Sequence, residues 1–276
     1  MSEPFTAEWL ELREPVDHRS RASSAVTMLL KEWRIKQWSR VVDLGAGNGS
    51  NLRYLAPRLP KPQHWTLVDC DASLLANCVL SELDVDVTSV VSDIAETVAM
   101  VVEDAHADLV TASAFLDLVS EGWLSTVVDV CRAKRRGAYF SLTYDGSIQW
   151  HTGSDDQRFL DDPDDAFIRR TFNMHQRRDK GFGPAAGPMA SLKAEADFRA
   201  AGYQVWLLQS RWYLGPNDSR LVGRLVDAWE SASIEQEPAA ARRIHAWAMR
   251  RRDAVRRSEF GLSVGHLDLL ALPGST

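Results

Sequence analysis

Cysteine is scarce in this chain of 276 residues: only Cys70, Cys78 and Cys131 occur, an odd number with no CxxC spacing. That argues against a disulfide scaffold or a zinc site and points to a reducing compartment. No apolar run approaches the roughly 20 residues that a membrane helix needs. Basic excess is lacking too. The net charge is -6, from 32 Lys+Arg against 38 Asp+Glu. A bulk polyanion binder is normally basic, so nucleic acid is not an expected partner. The stretch Met1 to Glu14 is acidic and lacks the charged-then-apolar order of a secretion signal, and the expectation is a soluble, cytoplasmic protein. Internal repeats and low-complexity tracts are absent. Hydrophobic residues at 45% and charged residues at 25% lie near the globular norm, which leaves disorder, collagen and coiled coil out.

What is present is an alternation of short apolar runs and helical periodicities. A helix is expected over about Ser20 to Trp38, with Ala22, Ala25, Val26, Leu29, Leu30 and Trp33 on one stripe. The run Val41-Val42-Asp43-Leu44 then ends in a glycine cluster, and Leu52, Leu55 and Leu59 mark the next helical face. Strands are expected at His64–Val68, Val85–Val91, Asp108–Ser113 and Gly137–Thr143, with helices at Ser73–Leu80, Ile94–Glu103 and Glu121–Ala133 between them. Such alternation predicts an α/β fold, a mostly parallel sheet with helices on both faces. The pattern breaks at Asp145, and Gly146 to Pro188 is polar and weakly periodic. A helix from Ala190 to Gly202, a strand Tyr203–Trp212, helices Ser219–Ala232 and Pro238–Arg257 and a last strand Leu262–Leu272 complete the chain. The length fits one domain over 1–276, with a helical lid at 1–39, a ligand-binding core at 40–145, a loop at 146–188 and C-terminal helices with the last strand pair at 189–276.

The most informative stretch is Asp43-Leu44-Gly45-Ala46-Gly47-Asn48-Gly49. Glycines at a strand-to-helix turn let backbone approach a ligand closely. A dinucleotide fingerprint G-x-G-x-x-G would place its third glycine at position 50, where Ser50 stands, and no G-x-x-x-x-G-K-[ST] phosphate loop exists. Asp43 would sit badly beside a pyrophosphate and well beside an ammonium group. An NAD-dependent dehydrogenase is therefore disfavoured.

D-x-G-x-G-x-G resembles the first motif of the class I S-adenosylmethionine-dependent methyltransferases. Leu67-Val68-Asp69, Ser92-Asp93-Ile94 and the stretch from Ala107 to Leu118 are similar to the ends of that family's second, third and fourth strands, so the resemblance covers about residues 40 to 145. It implies a seven-stranded sheet in the order 3-2-1-4-5-7-6 with the last strand antiparallel, here with a long loop insertion after strand five and a helical insertion between the last two strands. It also implies S-adenosylmethionine as cofactor and S-adenosylhomocysteine as product. By that resemblance Gly45, Gly47 and Gly49 wrap the methionine end and ribose, and Asp43 orients the amino group. Asp69 holds the ribose, and Cys70 flanks the adenine. Asp93 and the Ile94 amide meet the adenine amino group, and Ala112 and Ser113 line the methionine end. The alternative role for Asp69 and Asp93 is a cap or turn former. Arg21, with Arg13 and Arg19, is a candidate group for the cofactor carboxylate.

Acceptor contacts are expected above strands four and five, where ligands of open α/β sheets bind. Tyr144 and Asp145 are the first candidates, followed by Asp117, His175 and Lys180, with His151 weaker. A general base is needed only for a hydroxyl or a protonated amine. The acids Asp155, Asp156, Asp161, Asp162, Asp164 and Asp165 lack the calcium-loop pattern and are expected to be solvated, and no metal is expected. Arg242, Arg243, Arg250, Arg251, Arg252, Arg256 and Arg257 form a basic stretch. It would either touch a phosphate backbone or form a helix face paired with Glu230, Glu235 and Glu237. The leading expectation is methylation of a small molecule on oxygen or nitrogen. The alternatives are an RNA or protein methyltransferase using the arginines, although no N-P-P-[YFW] motif is present, and an interaction module that binds the cofactor without catalysis.

Overall fold

The computed structural model describes residues 6–78, 83–151 and 162–274. Two helices, α1 (Ala7–Ser20) and α2 (Ser23–Lys36), precede the sheet. They break at Arg21 and Ala22, whose backbone is extended. The expected single N-terminal helix is thus a pair, because the stripe from Ala22 to Trp33 belongs to α2 alone. Alternation then follows: β1 (Arg40–Leu44), α3 (Ser50–Leu55), β2 (His64–Asp69), α4 (Ala72–Ala76), β3 (Asp86–Val91), α5 (Ile94–Asp104), β4 (Leu109–Ser113), α6 (Glu121–Ala133) and β5 (Gly137–His151). The C-terminal part holds α7 (Asp165–Gln176), α8 (Ala190–Ala200), β6 (Tyr203–Gln209), β7 (Trp212–Leu214), α9 (Ser219–Gln236), α10 (Ala241–Arg256) and β8 (Gly261–Pro273).

The sheet order is β3-β2-β1-β4-β5-β8-β6, with β7 on the far part of β8. β1 to β5 are parallel, and β8 lies antiparallel between β5 and β6. This is the expected order with one added strand. The expected strand at 203–212 is interrupted at Ser210 and Arg211, so its end becomes the separate β7. Apolar side chains divide into three cores. One lies under α5, α6 and α8, one under α2 and α3, and a third beneath α7, α9 and α10.

Strand five does not end at Asp145. It runs on to His151, and α7 spans Asp165–Gln176, so part of the expected loop from Gly146 to Pro188 is strand and helix. The polar composition misled because β5 is bulged and α7 is half-exposed. Between Phe140↔Leu269 and Thr143↔Leu267, Ser141 and Leu142 face Asp268 alone; further on, Asp145, Gly146 and Ser147 face Gly265 alone. Leu142 adopts φ 56° and Gly146 φ 89°. Such bulges break the period-two signal that marks a strand. At Gly265 no side chain fits, because a Cβ would overlap Ser147 Oγ and the Asp145 carboxylate.

The first bulge frees an amide, and Asp268 takes it. This fully buried carboxylate accepts from Leu142 N at 2.9 Å, Tyr139 Oη at 2.9 Å and Ala22 N at 3.0 Å. Asp268→Ala should lower the free energy of unfolding in urea by about 3 kcal/mol, because buried donors would lose their acceptor. A loss under about 1 kcal/mol would mean that the bulge is held by something else.

Candidate active site

The glycine turn follows β1. Gly45, Gly47 and Gly49 all have positive φ, at 65°, 54° and 84°, a region that side chains disfavour. At Gly49 a Cβ would also overlap Cys78 Sγ, and at Gly45 it would meet the Phe115 ring at 2.7 Å. Helix α1 lies over the turn. Leu10 faces Gly47, His18 Nε2 stands 3.0 Å from the Ser50 carbonyl, and Glu14 pairs with Arg53.

Beneath the turn is a buried polar network. Asn51 donates to Asp43 Oδ1 at 2.7 Å and accepts from Arg21 Nη1 at 2.6 Å; Arg21 Nη2 donates to Ser113 Oγ at 2.9 Å. Asp43 Oδ2 and Arg21 Nε are buried there with no partner. Burial pushes the Asp43 carboxyl up to about 7, against the Asn51 hydrogen bond and the nearby Arg21 charge. Asp69 accepts the Gly47 amide at 2.8 Å and the Asp71 amide at 2.9 Å, one on each oxygen. Asp93 is exposed and caps α5 through Ala95 N at 2.9 Å. Cys70 is exposed, while Ile94 and Ala112 are buried in the core under α5 and α6. A cleft of about 520 Å³ opens at the start of α5, walled in part by Trp123 and Phe182.

A second buried set lies where α1 meets the bulged part of β5. Asp117 is buried, and loss of water raises its carboxyl to about 6; backbone amides of Asp117 and Tyr144 and the charges of Arg13 and Lys180 oppose the rise. Arg13 Nε donates to Asp17 at 2.8 Å, Trp212 Nε1 donates to the same carboxylate at 3.1 Å, and the guanidinium lies 5.0 Å from the Trp212 ring centre. His266 stands between Trp212 and Tyr144, with ring centres at 4.8 and 6.2 Å. Burial and the Arg13 charge lower it to about 3. Its Nδ1 must donate to the Val264 carbonyl at 3.1 Å, which can only accept, so Nε2 keeps a lone pair.

The other acceptor candidates separate. Tyr144 is buried, and its Oη donates to Asn173 Oδ1 at 2.8 Å. Asp145 accepts from Ser147 N at 2.8 Å and from its hydroxyl, folding over its own turn. His175 faces Glu235 on α9 at 3.0 Å, and Arg178 pairs with the same residue. His151 reaches Ser263 Oγ at 3.1 Å at the far end of β5. Arg19 pairs with Asp218. Lys180 is half-buried, which lowers its ammonium. Its loop is anchored by Asp179, which accepts from Gly181 N and Gly183 N, and by Phe182 packing on Phe115 and Trp123.

Trp212, His266 and Phe115 escaped the sequence reading, as did the contacts of Asp17, expected only as part of a lid over Asp17 to Arg21, and of Asn51. Asn51 alone carried a local signal, since it follows the glycine turn; the others come from distant strands and helices. The basic stretch also reads differently once folded. Arg243 and Arg250 pair with Asp162 and Asp164, Arg251 with Asp165, Arg252 with Asp227 and Glu230, and Arg256 and Arg257 with Asp253. Asp162, Asp164 and Asp165 are thus ion-paired rather than merely solvated, and Glu235 serves His175 and Arg178. Asp155, Asp156 and Asp161 lie outside the described residues. Among the described residues, no group of three His, Cys, Asp or Glu side chains could hold a metal, and no helix is long and apolar enough to cross a membrane.

Residues 41–137 match the methyltransferase-domain family. Those residues form a methyltransferase domain, on a sheet whose order is the one expected of the class I fold. Among solved structures, this methyltransferase is similar to a cyclopropane-fatty-acyl-phospholipid synthase-like protein from Lactobacillus casei, at 11% identity and a TM-score of 0.53, over 95% of this chain and 99% of that one. A Geobacter sulfurreducens S-adenosylmethionine-dependent methyltransferase in complex with S-adenosylhomocysteine matches at 17% identity and a TM-score of 0.44, over 98% and 99% of the two chains. Haemonchus contortus phosphoethanolamine N-methyltransferase 2 matches at 13% identity and a TM-score of 0.39, over 86% of this chain; the match spans 49%, about half, of that longer protein. No curated protein matches by sequence.

Asp43, with one oxygen unpartnered, gives a pH signature. Its folded value of about 7 lies above the ordinary 3.8, so its contribution to stability is full below about pH 4 and is lost as pH rises through 7. Between pH 5 and 8, the protein without cofactor should lose on the order of 2 kcal/mol relative to Asp43→Asn. Urea unfolding at both pH values checks this, and parallel pH profiles would show that Asp43 ionises normally.

Proposed function

We propose that this methyltransferase transfers a methyl group from S-adenosylmethionine to a small-molecule acceptor, on oxygen or nitrogen. The observation that carries the reading is the pair of unpartnered buried atoms beneath the glycine turn, Asp43 Oδ2 and Arg21 Nε. An anionic acceptor and a cationic donor held beside one turn match the ammonium and carboxylate of an amino acid. The positive φ of the three glycines opens the backbone beside them, and the Asp69 carboxylate retains lone pairs beyond its two amide bonds. These residues fit the cofactor. Asp43 would take its ammonium, Arg21 its carboxylate and Asp69 its ribose hydroxyls; Asp93, exposed at the next strand end, would take the adenine amino group.

When bound, S-adenosylmethionine supplies a methyl group already activated by positive sulfur. The protein then mainly aligns an acceptor and, for a hydroxyl or ammonium, accepts a proton. Asp117 suits the second task best: a buried carboxyl titrating near 6 is ionised at neutral pH and basic enough to take a proton. Neutral His266 offers a lone pair in the same region. Tyr144 and Asp145 would shape the pocket, since their polar atoms already have partners. A small acceptor is favoured because α1 closes over the glycine turn. The arginine stretch, which would serve an RNA or protein acceptor, has most of its charge paired with acids of this chain.

S-adenosylhomocysteine should raise the melting temperature and NAD should not, and Asp69→Ala should abolish the rise. Stabilisation by NAD alone would sink the assignment. With an acceptor in hand, kcat should rise with pH through about 6 and level off above it, because Asp117 must lose its proton to act. Asp117→Asn should lower kcat about 100-fold or more, leave S-adenosylhomocysteine binding intact and remove that inflection. An unchanged pH profile would assign the proton to another group.

A further inference from the structure

Helix α7 presents one stripe that the reading above leaves unused. Arg169, Arg170, Asn173, Met174 and Arg177 recur at helical spacing and, with Met189, line a cleft of about 530 Å³. No acidic residue lines this cleft. Most of the arginines on α10 are matched by carboxylates. Arg169, Arg170 and Arg177 have no carboxylate partner among the described residues, although the chain is acidic overall. Guanidinium groups match phosphate and carboxylate oxygens through parallel hydrogen bonds.

The cleft is also joined to the acceptor region. Asn173 lies on its wall, accepts from Tyr144 Oη at 2.8 Å and donates to the Gly146 carbonyl at 2.9 Å. Those contacts hold the stripe against the second bulge of β5. Met174 and Met189 are about half-exposed beside the arginines, at 46% and 51%, so the cleft offers apolar surface next to positive charge.

We infer that this cleft is an anion subsite, which takes a phosphate or carboxylate group carried by the methyl acceptor. The inference rests on the small-molecule methyltransferase reading and narrows it to an acceptor with an anionic end. Because Asn173 touches both the cleft and the Tyr144 hydroxyl, the anion would fix the acceptor from the α7 side while its other end reaches toward Asp117.

The test combines Arg169→Gln, Arg170→Gln and Arg177→Gln in the full chain. All three side chains are exposed, so the fold should survive, and S-adenosylhomocysteine binding should match the wild type. Inorganic phosphate and succinate are titrated separately, at low ionic strength with chloride as the control. The expected result is saturable binding of at least one of them to the wild type, weakened tenfold or more in the triple variant. Phosphate alone identifies a phosphate ester, and succinate alone a carboxylate. If wild-type binding does not saturate, or is unchanged in the variant, the subsite is overturned. Should the wild type also fail to bind S-adenosylhomocysteine, the methyltransferase reading fails with it; intact S-adenosylhomocysteine binding confines the failure to the subsite.

Discussion

The Asp268 carboxylate is the contact on which the site most depends. It is buried at the centre of β8 and accepts three hydrogen bonds from three parts of the chain. One comes from the amide that the Leu142 bulge frees, two residues before Tyr144. Another comes from Ala22, next to Arg21, so the same carboxylate sets where α1 ends and where the guanidinium enters beneath the glycine turn. A buried charge is tolerable only when it is so surrounded. A buried carboxylate in a mostly apolar strand thus ties the cofactor side of the domain to the acceptor side.

Charge is handled in two opposite ways. On the outside, acids and arginines far apart in sequence find each other, as Asp162 and Asp164 do with Arg243 and Arg250. Such pairs contribute little individually, but they cancel fields that would otherwise attract polyanions. Inside, Asp43, Arg21 and Asp117 are kept dry, Asp43 and Arg21 each with one atom unpartnered, and burial pushes both carboxyls toward neutral pH. Groups held in that condition are suited to binding or proton transfer. The stripe on α7 belongs to neither case, being exposed and unmatched.

The parallel half of the sheet was legible because short β-branched or apolar runs are each closed by a polar residue or a glycine at or just after the strand end. The glycine turn was legible because positive φ leaves few residue choices. Beyond Asp145 legibility falls. Three residues of β5 face one of β8 at the second bulge, so alternation fails where strand five continues. His175 stood out as a histidine in a polar stretch, yet it packs against Glu235. His266 and Trp212 sit in ordinary local surroundings, and nothing in their neighbours announces that α1, β7 and β8 converge.

By itself the sequence determined the fold class and the turn at Gly45 to Gly49, while the strand order came from the resemblance to a known family. The first two follow from periodicity and backbone sterics, which act over a few residues. Only the tertiary structure decided which acids are neutralised and which stand unpaired, and which side chains share the ground around Asp117. Burial and pairing depend on groups a hundred or more residues apart, and local pattern carries no record of them.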